Sequence, residues 1–222
     1  MSTPKLKTYP ASLMARPFTP WLQSCAGVLA INWLAQGWRG MDPGERRFRA
    51  LLQLTATALI TALLSSWLPL WTAAAIALPA AHTANFLLNG QFWLCLRYCP
   101  NYRNSQTRLN SYLHTLAETV RRYPFAAHAV IIGSAARGQI RHARSDIDLR
   151  LIAKPGLISW LQQNLALLSL RAHAFIHRMP LDLYGYDSTA ALNRFDPAEP
   201  IWVLKQSGPD LDPHLHNREV FR

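Results

Sequence analysis

The sequence predicts an α/β domain preceded by a two-helix transmembrane hairpin, on three observations. No Asp, Glu, Lys or Arg occurs in the 47 residues from Ala50 to Leu96. Short apolar runs then alternate with helical patterns from residue 104 to residue 186. The net charge of +11 is uneven, because residues 1–104 hold +7 of it and only two acids. These features exclude a disordered or acidic tail protein, and they indicate a membrane-associated first half and a soluble second half.

The uncharged run is long enough for two membrane crossings. A helix rises about 1.5 Å per residue, so crossing about 30 Å of hydrocarbon takes roughly 20 apolar residues. We predict spans over Leu51–Leu68 and Thr72–Leu96, with a turn at residues 65–71; the alternative is a long helical hairpin buried in a soluble core. Basic residues flank both ends of the hairpin: Arg46, Arg47, Arg49, Arg97 and Arg103. The positive-inside rule therefore predicts a multi-pass protein of the inner (cytoplasmic) membrane with its second half in the cytoplasm.

A weaker apolar segment precedes the hairpin. Residues 17–38 lack charge but contain several polar side chains, so we expect an interfacial helix anchored by Trp21, Trp33 and Trp38. A third span is the alternative. Asp42 and Pro43 are typical of the N-cap and first position of the helix that follows.

We expect the polar and thiol side chains of the first half to have structural roles. His82, Asn85 and Asn89 share one helix face, and we favour hydrogen bonding between helices over a functional site. Two thiols without further ligands make a poor zinc site, so we expect Cys25, Cys95 and Cys99 to act as small apolar residues.

The second half alternates helices and strands, which predicts a small sheet with flanking helices. A helix is expected over residues 104–122 and another over Leu157–Arg178, and a third begins near Ala135. The predicted strands are Ala126–Ile132, Asp146–Ile152, Pro180–Tyr186 and a short Ile201–Leu204. The resulting division is an N-terminal cytoplasmic or interfacial segment 1–49, the hairpin 50–97, a domain 105–190 and a C-terminal extension 191–222.

One group of residues in this half forms a candidate catalytic site. Residues two apart on a strand point to the same face, so Asp146 and Asp148 present two carboxylates that a divalent cation can bridge. Gly133 allows close approach to a phosphate, and Ser134 starts a helix whose free N–H groups favour anions. Asp182 completes a triad if its strand lies beside that of Asp148. Positive charge nearby comes from Arg137, Arg141 and Arg144.

The order Gly133-Ser134, an eleven-residue gap and Asp146-Ile147-Asp148 resembles the signature of the DNA polymerase beta-type nucleotidyltransferase superfamily, most of all its minimal stand-alone members. The resemblance covers roughly residues 105–187 and implies the minimal nucleotidyltransferase fold. It also implies Mg²⁺, as a two-metal site, and a nucleoside triphosphate substrate. The implied catalytic residues are Asp146, Asp148 and Asp182; the metal ligands are Asp146 and Asp148; the nucleotide-binding residues are Gly133, Ser134, Arg137 and Ser145.

The expected activity is transfer of a nucleoside monophosphate to a hydroxyl or phosphate acceptor at the membrane. The acceptor is left open among a lipid-linked saccharide, a small molecule and a protein, the last as in antitoxin relatives. A non-catalytic scaffold that binds nucleotide or a partner is the alternative, and a homo-oligomer or membrane partner stays open. The soluble half lacks a basic run with interleaved aromatics, which argues against nucleic acid. His173 and His177 lack an accompanying carboxylate, which argues against a metal pair.

Overall fold

The computed structural model describes residues 19–89, 91–100, 102–207, 211, 215 and 219–221. The α-helices are α1 Thr19–Gln23, α2 Cys25–Ala35, α3 Pro43–Leu64, α4 Leu70–Leu88, α5 Gln91–Leu96, α6 Gln106–Arg121 and α7 Leu157–Ile176. Short 3₁₀ helices occupy Trp38–Gly40, Gly133–Arg137 and Thr189–Arg194. The strands are β1 Ala126–Ile132, β2 Ile147–Ala153, β3 Leu181–Tyr186, β4 Ile201–Gln206 and β5 Val220–Phe221.

The strands form one mixed sheet in the order β3-β2-β1-β4-β5. β1 pairs antiparallel with both β2 and β4, whereas β2 and β3 run parallel, as do β4 and β5. The predicted mixed α/β architecture with flanking helices is thereby confirmed. The segment that sequence analysis placed in a C-terminal extension supplies β4, which lies beside the central strand.

The core lies between the sheet and helices α6 and α7. The apolar face of α6 is buried at Leu109, Leu113, Leu116 and Val120, which recur at helical spacing. β1 is apolar along almost its whole length, because a central strand with both faces covered has no solvent side. This packing fixes the ends of β1, β2 and β3, where the candidate site lies.

The predicted two-helix transmembrane hairpin is not confirmed. Among the described residues, one helix, Pro43–Leu64, is long and apolar enough to cross a membrane, with a mean hydropathy of 1.3. The predicted second span, Thr72–Leu96, is wrong as one continuous helix, because α4 ends at Leu88 and α5 starts afresh at Gln91. Asn85 and Asn89 hydrogen-bond each other at this end of α4, which places polar groups where a span would continue.

The segment before α3 is helical, but it is not a free surface helix. Trp33 contacts the ring of His82 edge-on and donates its indole N–H to Thr83 Oγ1 at 3.1 Å. His82 Nε2 lies 2.8 Å from Trp33 O. Trp33 therefore packs on α4, and the polar face of α4 supports helix contacts. Residues 17 and 18 of the predicted segment lie outside the described residues.

The prediction that Cys25 and Cys99 are apolar filler is wrong. They form a disulfide with a Cα–Cα distance of 4.9 Å across 74 residues of sequence, while Cys95 is buried and lies outside the disulfide. The disulfide joins α2 to the loop that follows α5. Sequence spacing could not reveal it, because the pairing depends on how α2 packs against α5.

The first turn of α3 is attached to the outer edge of β3. The backbone N–H of Gly44 donates to Asp187 Oδ2, and that of Asp187 donates to Asp42 Oδ2, both at 3.0 Å. The predicted helix start at Asp42 and Pro43 is confirmed, but the Asp42 side chain makes no cap bond within its helix. It bonds across to the sheet domain, so both halves of the chain meet at this edge.

Candidate functional site

Asp148 and Asp182 face each other on adjacent parallel strands. In the register of β2 and β3, Asp148 lies opposite Asp182, while Ile147 lies opposite Leu181 in the core. Strand alternation explains this placement, since the apolar neighbours take the buried face and leave the carboxyl groups on the other face. The condition set by the sequence, that the third strand lie beside the second, is met.

The glycine turn reaches the same point from β1. Ile132, the last residue of β1, pairs with Asp148 across the sheet. Gly133 has a positive φ of 76°, and a Cβ built on it would lie 3.7 Å from Asp148 Oδ2. Ser134 next to it is exposed. The turn and the carboxylates therefore lie together where β1 ends and where β2 and β3 begin.

The helix predicted to begin near Ala135 is wrong. Residues Gly133–Arg137 form a short 3₁₀ helix that ends at Gly138, whose φ is 71° and whose N–H donates to Ala135 O. A left-handed glycine one turn after the start closes the turn instead of extending it. Backbone N–H groups still line the turn, but no long helix dipole stands behind them.

Arg150 is a site residue that sequence reasoning missed. Its Nη2 lies 2.9 Å from Asp182 Oδ2 and 3.5 Å from Asp148 Oδ1, and its Nη1 donates to Asp182 O at 2.6 Å. The side chain is only 5% exposed. The signal was available, because Asp148 and Arg150 are two apart on β2 and residues two apart share a face.

Arg97 pairs with the remaining carboxylate. It follows α5 and forms an ion pair with Asp146, and both side chains are more than four-fifths buried. Arg144 holds the loop in place by donating to the carbonyl oxygens of Arg97 and Cys99 at 3.1 Å and of Pro100 at 2.7 Å. The guanidinium of Arg144 thus stabilises the loop after α5 and is not directed at the carboxylate cluster.

The pKa values of Asp148 and Asp182 are shifted in opposite directions. Burial, together with the neighbouring charges of Asp146 and Asp182, raises the pKa of Asp148 well above its usual range. Burial also acts to raise the pKa of Asp182, but Arg150 outweighs it, and the pKa of Asp182 is lowered. Asp148 is therefore the carboxyl group that gains most from an added positive charge.

The other predicted groups have partners outside this cluster. Arg137 forms an exposed ion pair with Glu219 at 3.0 Å, and the backbone N–H of Ser145 donates to His142 O at 3.0 Å. The rings of His173 and His177 lie 4.2 Å apart on α7. Among the residues that the structure describes, no group of three or more His, Cys, Asp or Glu side chains is arranged to hold a metal ion.

The donor chemistry of the cluster nevertheless fits Mg²⁺. This ion takes hard oxygen ligands and is usually held by one or two carboxylates together with substrate phosphates, not by a complete protein cage. The pKa of Asp148 is raised and its carboxyl group borders the glycine turn, so Asp148 is suited to be the first ligand of the cation. Asp146 would be the second ligand if the ion replaced Arg97 as its partner. Neither a family model, nor a curated protein, nor a solved structure matches this chain.

Proposed function

We propose that this chain is a membrane-associated nucleotidyltransferase that moves a nucleoside monophosphate from a nucleoside triphosphate to a hydroxyl or phosphate acceptor. One observation carries the proposal: two carboxyl groups in register on parallel strands lie beside a glycine turn, where a Cβ on Gly133 would meet only Asp148 Oδ2, at 3.7 Å. In this reaction the acceptor oxygen bonds to the α-phosphorus, the bond to the bridging oxygen breaks, and pyrophosphate leaves. A bound Mg²⁺ would neutralise the charge that builds up on the phosphate oxygens.

The residues of the chain have distinct parts in this proposal. Asp146 and Asp148 hold the cation, and the Gly133–Ser134 turn receives the phosphates. Asp182 stays ionised because its pKa is lowered, so it can accept the proton of an acceptor hydroxyl, while Arg150 fixes the orientation of its carboxylate. Arg137 and Ser145 stay candidates for contact with the nucleotide.

The membrane placement is part of the proposal. Large apolar side chains are exposed along α3, α4 and the turn between them: Leu51, Leu54, Leu59, Leu63, Trp67, Leu70, Trp71, Ile76 and Leu78. Water would disfavour such a surface, so lipid is the suitable environment. Gly44 at the beginning of α3 donates to Asp187 after β3, and Asn89 after the end of α4 accepts from Arg171 of α7. Both ends of the helix pair thus contact the α/β domain, which supports a hairpin with both ends on the cytoplasmic side. Cysteine-accessibility labelling of Arg47→Cys and Arg103→Cys should place both positions in the cytoplasm; opposite sides would exclude the hairpin.

A radiolabelled transfer assay tests the activity. Full-length protein is incubated with α-labelled triphosphates, Mg²⁺ and native membranes, and label is counted in lipid extract and in protein. Asp148→Asn combined with Asp182→Asn should abolish transfer, whereas the exposed Asp196→Asn should leave it unchanged. Transfer that survives in the double variant would overturn the proposal. Label in lipid indicates a lipid-linked acceptor, and label in protein indicates nucleotidylation of a partner.

The two arginines favour a second candidate, a non-catalytic module that binds nucleotide or a partner. Arg97 and Arg150 already occupy the oxygens that a cation would use. A site closed in this way would bind a triphosphate without hydrolysing or transferring it. Equilibrium binding of labelled nucleotide without label transfer, in wild type and in Arg97→Gln alike, would favour this function over the enzyme.

A further inference from the structure

A buried charge cluster lies where α3 meets α7 and β3. Glu45, Arg49 and Arg171 are between 2% and 4% exposed. Arg171 Nη2 donates to Glu45 Oε1 at 2.6 Å, and Arg49 Nη1 lies 4.0 Å from the same oxygen. The other oxygen, Glu45 Oε2, accepts the N–H of Gly185 at 2.9 Å. One carboxylate thus serves two guanidinium groups, which leaves the cluster with one positive charge in excess.

Arg49 is the less satisfied of the two arginines. Its Nη1 donates to Gln36 O at 3.2 Å and approaches Met41 Sδ at 3.4 Å. Its Nη2 is buried and has no hydrogen-bond partner among the described residues. A buried charged donor without an acceptor is costly, so an added anion beside it is favourable.

Arg49 also lines a cleft of 610 Å³ between α2, α3 and α4. Small-molecule sites commonly have this size. Arg39 and the amides of Gln53 and Asn85 share the lining, and none of the described lining residues is acidic. Gln36 and His82 also line the cleft, and the rest of the wall is apolar; two of its residues, Leu34 and Leu54, are 73% and 66% exposed.

We propose that this cleft binds the phosphate headgroup of an anionic lipid. The excess positive charge at Arg49 and Arg39 matches a phosphate, the amides can donate to its oxygens, and the exposed leucines offer a surface for the acyl chains. The apolar outer surface of α3 continues from the same wall through Leu51 and Leu54. This site lies apart from the carboxylate cluster and does not depend on the proposed transfer reaction.

Thermal unfolding of the full chain in an uncharged maltoside detergent tests the proposal. Dioctanoyl phosphatidic acid should raise the melting temperature in proportion to its concentration. Dioctanoylglycerol, which has the same chains without the phosphate, and inorganic phosphate should have no such effect. An equal rise with inorganic phosphate would mean a site for free phosphate, and an equal rise with dioctanoylglycerol would mean apolar binding; either result overturns the lipid assignment.

Three variants locate the site. Arg49→Met should lose the rise with phosphatidic acid, and Arg47→Met, an exposed arginine on the same helix, should keep it. Because Arg49→Met also removes a contact to Glu45, Ala50→Phe provides a second variant that fills the cleft without changing charge. It should melt like wild type without lipid and lose the rise with lipid. A rise that survives in both Arg49→Met and Ala50→Phe would overturn the proposal.

Discussion

Replacing Arg150 with methionine should expose the repulsion among the three acids. The substitution keeps an apolar chain of similar length but removes a guanidinium that bonds Asp182 through both its carboxylate and its carbonyl oxygen. The bond from Arg150 to Leu149 O at 3.0 Å is lost as well. Removing one partner of a buried ion pair costs about 3–5 kcal/mol, since the other charge is left unpaired.

The expected loss is measurable as a change in melting temperature. For a chain of this size each kcal/mol corresponds to about 2–4 °C, so Arg150→Met should melt about 6–20 °C below wild type in detergent. Arg137→Met provides the matched control, because its ion pair with Glu219 is about half exposed and such pairs contribute about 1 kcal/mol or less.

Mg²⁺ should restore part of this loss. With Arg150 absent, the carboxylates of Asp148 and Asp182 are both available to a cation, and a ligand present at 100 times its Kd stabilises by about 2.7 kcal/mol. The gain should be larger in Arg150→Met than in wild type. The reasoning is refuted if Arg150→Met loses no more stability than Arg137→Met, or if Mg²⁺ stabilises both proteins equally.

Three further predictions concern the surroundings of the site. Arg97→Gln frees Asp146 from a pair worth about 1–3 kcal/mol, so Mg²⁺ should bind at least fivefold tighter by calorimetry; an unchanged affinity contradicts this. Burial, and then repulsion from a second histidine one turn away, lowers the pKa of His173. The unfolded chain therefore binds the extra proton more readily, and the free energy of unfolding should fall as the pH drops below about 6.5. His173→Gln should show a smaller fall in the free energy of unfolding between pH 7 and pH 5. An identical fall in the variant would contradict the role of His173. Serine at both Cys25 and Cys99 should cost about 4 kcal/mol of unfolding free energy, and a reductant should then destabilise wild type but not the double variant.

The sequence predicts the placement of the carboxylates better than the placement of the arginines that pair with them. Period-two alternation places Asp148 and Leu149 on opposite faces of the sheet, with Leu149 in the core between the sheet and its helices, and the same rule applies to Asp182 and Leu183. These are local consequences of strand geometry, so a sequence can show them. The neighbouring position of β2 and β3 follows from the common rule that a crossover helix joins adjacent parallel strands.

The contacts that the sequence could not predict join distant parts of the chain. Arg97 reaches Asp146 across 49 residues and Cys25 reaches Cys99 across 74, and neither pair leaves a periodic signal. The 3₁₀ turn after Ser134 is a subtler failure, since the apolar residues Ala135 and Ala136 suit either a helix or a turn. Gly138 decides between them, because its left-handed conformation ends the helix after one turn.

The two arginines are held to different degrees, and this difference bears on how many metal ions the site can take. Arg150 is fixed by a carboxylate, two carbonyl oxygens and the ring of Tyr184. Arg97 has only the carboxylate of Asp146 and the hydroxyl of its neighbour Tyr98 at 2.7 Å, and the Nε atoms of both arginines are buried without a hydrogen-bond partner among the described residues. If a cation binds at the proposed site, we expect it to displace Arg97 more readily than Arg150, which has more hydrogen-bond partners. With Asp182 paired to Arg150, Asp146 and Asp148 would be the ligands, and two carboxylates would suit a single Mg²⁺ completed by substrate phosphates better than the two-metal site implied by the sequence resemblance.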